Sequence, residues 1–129
     1  MGDLSAHFSR EEFECRCGCG ICHVSEKLLT KLERLRQQIG RPIHINSGCR
    51  CPAHNAAVGG VPDSAHVATD TEPCEAADLR VESGHEAFLM VDQIMLYALF
   101  TRIGIGKGLI HVDVDIAKPQ SVIWVYKDR

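Results

Sequence analysis

Hydrophobic residues in this chain follow helical spacing in some stretches and two-residue alternation in others. Leu28, Leu32, Leu35 and Ile39, with Leu29 beside them, form one face of a helix. Ser25 caps it, and Gly40 and Pro42 stop it. A shorter helix starts at Arg10, where Ser9 and Glu12 have capping-box spacing. The segment 85–100 is the longest helical candidate, with Phe88, Val91, Met95 and Leu99 as its apolar stripe. Alternation marks strands at PIHIN (42–46), AADLRV (76–81), RIGIG (102–106), GLIHVDVDI (108–116) and SVIWVYK (121–127). The segment 53–64 is a helical turn followed by a loop rich in Gly, Pro and Asp. This order predicts an α+β fold: one domain over residues 1–129, with a mainly antiparallel sheet packed on one side by helices.

The 129 residues suffice for one domain with a core, and 45% hydrophobic and 24% charged residues are ordinary globular values. A net charge of −3 and the lack of a basic stripe argue against a nucleic-acid partner. No apolar run approaches the ~20 residues of a membrane span. The opening residues carry no secretory signal pattern, so a cytoplasmic monomer is expected, able to reach a cell wall after phage-type release. Seven cysteines in a reducing compartment point to metal ligands or free thiols before disulfides.

His111 and Asp113 stand two apart on a strand, so both project from one face, while Val112 and Val114 project from the other. Asp78 is a carboxylate among apolar residues on a second strand, and His66 lies on the loop before it. If the strands are neighbours, these groups can converge on one cation from the open sheet face. Two His and one Asp with a fourth position open is a catalytic zinc set. A solvated or hydrogen-bonded role is the other reading of such residues, and spacing alone leaves both standing.

The segments NSGCRCPAHNAAVGGVPDSAH, EAADLRV and GIGKGLIHVDV, with HFSREEFECRCGCG before them, resemble the zinc D-Ala-D-Ala carboxypeptidases, in particular their small single-domain murein peptidase branch. The likeness runs from about Phe8 to Val114, with the motifs in family order. It implies a zinc metallopeptidase that hydrolyses D-alanine-containing peptidoglycan peptides. It implies His66, Asp78 and His111 as zinc ligands, Arg50 as a group that binds substrate and steadies the oxyanion, and Ser64 as a hydrogen-bond partner of the peptide. A murein endopeptidase of endolysin type and a non-catalytic, zinc-stabilised binding module are the rival readings.

Two departures from the family pattern bear on chemistry. Residues 67–77 are longer than the family's short x-x-Gly-x link between the first His and the Asp. They bring Asp70, Glu72, Cys74 and Glu75 near the metal as possible extra ligands. Gly108 and Leu109 stand where related branches carry the general base. Asp113 is then the best candidate base, and equally a group that orients a ligand. Cys15, Cys17, Cys19 and Cys22 crowd one loop and can share a second zinc with Cys49 and Cys51, form disulfides with them, or stay free, with Cys74 left over.

Overall fold

The computed structural model describes residues 2–127. In chain order the elements are α1 (Arg10–Phe13), α2 (Glu26–Ile39), β1 (Ile45–Ser47), α3 (Pro52–Ala57), β2 (Ala76–Arg80), α4 (Gly84–Leu96), β3 (Arg102–Gly106), β4 (Leu109–Asp113) and β5 (Val122–Val125). The strands make one sheet in the order β1-β2-β4-β3-β5. All neighbours are antiparallel except β3 and β5, which run parallel. This is the α+β architecture expected from the pattern.

Local chemistry sets the element ends. Ser25 Oγ accepts the Leu28 N–H at the start of α2. Gly40 ends α2 at φ 69°, a left-handed turn that costs a glycine little. Glu12 accepts the Ser9 N–H at 2.7 Å, the reciprocal half of the capping box. Leu28, Leu32 and Leu35 of α2, with Met90 and Ile94 of α4, pack in one core with Leu79, Ile103, Ile110 and Val112 of the sheet.

Two expectations need correction at α4. Its buried face is Met90 and Ile94, with Ala87 and Val91 half-buried, whereas Phe88 and Met95 are 67% and 64% exposed. Residues 87–91 are apolar without a break, so periodicity does not choose a face there. The helix also ends at Leu96, before residue 100. Ala98 takes a positive φ of 50°, which turns Leu99 and Phe100 into the core with no Gly or Pro to announce it. Apart from β3, which keeps 102–106, the strands are shorter than alternation suggests. β1 covers 45–47 in place of 42–46, β4 stops at Asp113, and β5 spans only 122–125.

Pairing register lines up a row of residues across the sheet: Ser47, Asp78, His111, Gly104 and Trp124. On β2, Ala77 and Leu79 face the core, so Asp78 points the other way. The same alternation on β4 sends Ile110 and Val112 into the core and His111 to the opposite face.

Candidate functional site

The open face of the sheet carries a buried polar cluster. His66 comes from the loop between α3 and β2, Asp78 from β2 and His111 from β4, and each is at most 6% exposed. One ligand atom from each of the three lies within 4.8 Å of the others. His66 Nε2 is 3.2 Å, and His111 Nδ1 2.9 Å, from the same Asp78 oxygen, Oδ1.

The outer ring nitrogens fix the tautomers. His66 Nδ1 donates to the Gly48 carbonyl at 2.7 Å, and His111 Nε2 donates to Asp113 Oδ2 at 2.7 Å. Each neutral imidazole therefore turns a lone pair towards Asp78. Lone pairs cannot face a carboxylate oxygen at this range without a cation between them. A proton on each of the two nitrogens, or one shared metal ion, meets that need. The proton case explains the shifts of Asp78 and His111. Burial alone raises the Asp78 carboxyl, but hydrogen bonds with His111 and His66 outweigh it and hold it well below the usual carboxylate range. Burial lowers His111, but hydrogen bonds to Asp113 and Asp78 leave it above the ordinary imidazole value. Two imidazole nitrogens and one carboxylate oxygen, each ring steadied from behind, are also a fitting zinc donor set, one ligand short of a tetrahedron.

Arg50 lies beside this cluster, 7% exposed, with Nη2 3.9 Å from Asp78 Oδ2. Its Nη1 donates to Asn55 Oδ1 at 3.0 Å, and Asn55 Nδ2 donates to the Val61 carbonyl at 2.8 Å. A Cβ on Gly60 would stand 2.1 Å from Asn55 Oδ1 and 3.1 Å from Arg50 Nη1, so the bare glycine backbone is what lets the loop close over this pair. Backbone bonds also anchor the arginine: Arg50 N–H to the His66 carbonyl and Ala68 N–H to the Arg50 carbonyl, each 2.8 Å. Ser64 Oγ accepts the His66 N–H at 3.2 Å.

Asp113 sits behind His111, on the side away from Asp78. Its Oδ1 accepts from Arg102 Nε at 2.8 Å and from the Asp115 N–H at 3.1 Å, while Oδ2 holds His111. Burial pushes the Asp113 carboxyl up, but His111 and these donors leave it lowered. Gly108 takes φ 74° in the β3–β4 turn, and Leu109 packs over Gly106, so neither contributes an acid.

The 67–77 segment adds no ligand to the cluster. Among the described residues the metal-ligating group holds only His66, Asp78 and His111, without Asp70, Glu72, Cys74 or Glu75. Thr69 Oγ1 accepts the Thr71 and Glu72 N–H groups, and the Thr69 carbonyl lies 3.1 Å from His23 Nδ1. Cys74 is fully buried, its N–H donating to the His23 carbonyl. The extra length is thus spent against the cysteine-rich loop. The cause is backbone pairing: Cys74 bridges to Val24 in parallel.

The cysteines also sort differently from the expected six. Cys15, Cys17, Cys19 and Cys51 gather in one group. Cys22 donates to the Arg10 carbonyl and Cys49 to the His23 carbonyl, and both stand outside it. The neighbouring Cys74 sulfur lowers the Cys49 thiol, and Cys49 together with burial raises that of Cys74. Burial pushes the Cys15 thiol up, but the Cys51 and Cys17 backbone N–H groups bring it down to about 7.

Sequence reasoning missed Asn55, Arg102, Gly48 and the aromatic wall. Trp124 and Tyr126 place their rings 5.4 and 6.3 Å from that of His111, and Arg102 stacks 5.0 Å from the Trp124 ring. Gly104 makes this possible, since a Cβ there would meet the Trp124 ring at 2.8 Å. The signal was present: Trp and Tyr two apart, at and just beyond the end of one strand, with a glycine paired to the Trp.

A family model described as Peptidase M15 matches residues 6–115, a span that holds Arg50, Ser64, His66, Asp78, His111 and Asp113. No curated protein matches the chain.

Proposed function

Since the chain belongs to the peptidase M15 family of zinc-dependent peptidases, we propose that it hydrolyses D-alanine-containing peptidoglycan peptides, in the manner of a D-Ala-D-Ala carboxypeptidase, with zinc held by His66, Asp78 and His111. One observation carries this reading. Two imidazole lone pairs converge on one carboxylate oxygen, and each outer ring nitrogen is already engaged.

Zinc bound there would act as a Lewis acid on the scissile carbonyl and activate water at neutral pH. The protein's own groups do the rest. Arg50, held by Asn55, presents a guanidinium beside the site to a substrate carboxylate or a developing oxyanion. Ser64 accepts locally and keeps its O–H to donate to a peptide carbonyl. Asp113 orients His111 and raises its basicity. Trp124 and Tyr126 wall the His111 side of the site.

The test is incubation of the zinc-loaded protein with a peptide ending in D-Ala-D-Ala and with a cross-linked murein peptide, with products followed by mass spectrometry. Release of terminal D-alanine, abolished in His66→Ala, is expected. Arg50→Lys keeps the charge but loses the fork, and should lower kcat/KM by about 10²–10³-fold with zinc content unchanged. Internal cleavage alone would assign the endopeptidase reading instead.

A second reading is favoured by one feature. Both Asp113 oxygens are engaged, and Gly108 and Leu109 offer no acid. A peptide-binding module that keeps the metal for stability would look like this. Zinc-dependent binding of the D-Ala-D-Ala peptide without turnover would select it.

A further inference from the structure

We propose that Cys15, Cys17, Cys19 and Cys51 form a second, structural zinc site that clamps the N-terminal loop onto the segment carrying Arg50. The four sulfurs lie within 4.8 Å of one another. Cys15 and Cys17 sulfurs are 3.4 Å apart, and those of Cys17 and Cys51 are 3.7 Å apart. Tetrahedral zinc with bonds of about 2.3 Å sets its sulfurs about 3.8 Å apart. A disulfide needs about 2.05 Å and joins sulfurs only in pairs. The spacing here suits four thiolates around one ion.

The backbone is shaped for this arrangement. Alternate residues of an extended chain share a face but cannot fold their ends around a point. Gly18 and Gly20, at φ 85° and 84°, wrap the loop instead. The Cys15 N–H donates to the Ile21 carbonyl at 2.8 Å, closing the loop at its base. Two N–H groups also point at sulfur: Cys51 N–H at Cys15 Sγ, 3.4 Å, and His54 N–H at Cys51 Sγ, 3.3 Å. Such donors steady thiolate charge on metal ligands.

Residues 16–20 are exposed, so apolar burial does not account for their order. Four thiolates leave no open coordination position, which makes the site structural. It is separate from the His66, Asp78 and His111 cluster, and stands or falls without the catalytic reading. It touches that cluster through the chain alone, because Cys51 follows Arg50. The remaining thiols take other partners. Cys22, Cys49 and Cys74 donate to the Arg10, His23 and Ala76 carbonyls.

The test is metal analysis of protein purified under reducing conditions with zinc, together with cobalt(II) substitution. The intact chain should hold about two equivalents. Cys17→Ser and Cys19→Ser change exposed residues, so the core should survive; each should lose about one equivalent. Cobalt-loaded intact chain should show the intense thiolate-to-cobalt bands of a tetrathiolate centre. His66→Ala should keep them, and Cys17→Ser should lose them. Cys22→Ser should keep both equivalents. Any of three results would overturn the proposal: unchanged zinc in Cys17→Ser and Cys19→Ser, equal loss in Cys22→Ser, or disulfides among these four cysteines that persist through the reducing purification.

Discussion

His111 shows how much one side chain depends on both of its ring nitrogens. Nδ1 faces Asp78, and Nε2 is held by Asp113, which Arg102 holds in turn. Asp113→Asn keeps the shape but removes the charge behind the ring. Loss of a partner of this kind costs about 10–100-fold in metal affinity. Competition against a chromogenic chelator should read that loss in this variant, with little change in far-UV circular dichroism. The convergence of His66, Asp78 and His111 was legible because strand alternation puts Asp78 and His111 on one face and motif order adds His66 from the loop. The direction of Asp113 was not. Alternation says which face a carboxylate shares with a histidine, but not which ring nitrogen it meets. Asn55 and Arg102 were invisible for a related reason: their partners lie on other elements or across a loop.

Between elements, α2 holds down the chain's beginning through one acid. Glu33 accepts from the Ser5 hydroxyl at 2.6 Å and the His7 N–H at 2.7 Å, and pairs with the His7 ring at 2.7 Å. Burial raises this carboxyl, but those bonds outweigh it and leave it below its usual value. A depressed folded value means the stabilisation is complete above the unfolded value of about 4.3 and is lost as pH falls through the folded one. Glu33→Gln should therefore melt below the natural protein at pH 7, by about 1–2 kcal/mol. The gap should close in thermal scans run at progressively lower pH, below about 4. The helix itself was plain in the sequence, with its leucine face, serine cap and glycine stop. Its contact with Ser5 and His7 was not, because no local pattern says where an unstructured segment returns to a helix surface. The α4 face was illegible for the opposite reason, a surplus of apolar residues.

At the scale of the whole molecule, residues 67–77 bind the cysteine-rich loop to the sheet through Val24 and Cys74, while Cys51 extends from Arg50. Metal bound at either cluster, as proposed, would therefore stabilise segments far apart in sequence. A ligand at about a thousand times its dissociation constant adds about 4 kcal/mol, on the order of 10 °C for a chain of this length. Stripping zinc with a chelator should lower Tm by at least that much in differential scanning calorimetry. His66→Ala in excess zinc should melt between the two states. Equal Tm values with and without chelator would remove metal from the account of stability. The α+β class and sheet composition were readable from alternation. The row from Ser47 to Trp124 was not, since register and strand order arise from pairings between distant segments.

That row has an optical consequence. Trp124 is the chain's sole tryptophan, and its ring lies 5.4 Å from the imidazole of His111. All indole emission thus comes from one point at the edge of the histidine cluster, where ring protonation or a bound ion changes the local field. Zinc titrated into metal-free protein should alter that fluorescence in step with filling at His66, Asp78 and His111. The indole's ring and cation contacts are His111, Tyr126 and Arg102, over the bare backbone of Gly104, and the proposed cysteine site draws on none of these residues. With both sites filled as proposed, the indole would report the histidine cluster alone, and subtracting that occupancy from the total bound metal would give the occupancy of the cysteines.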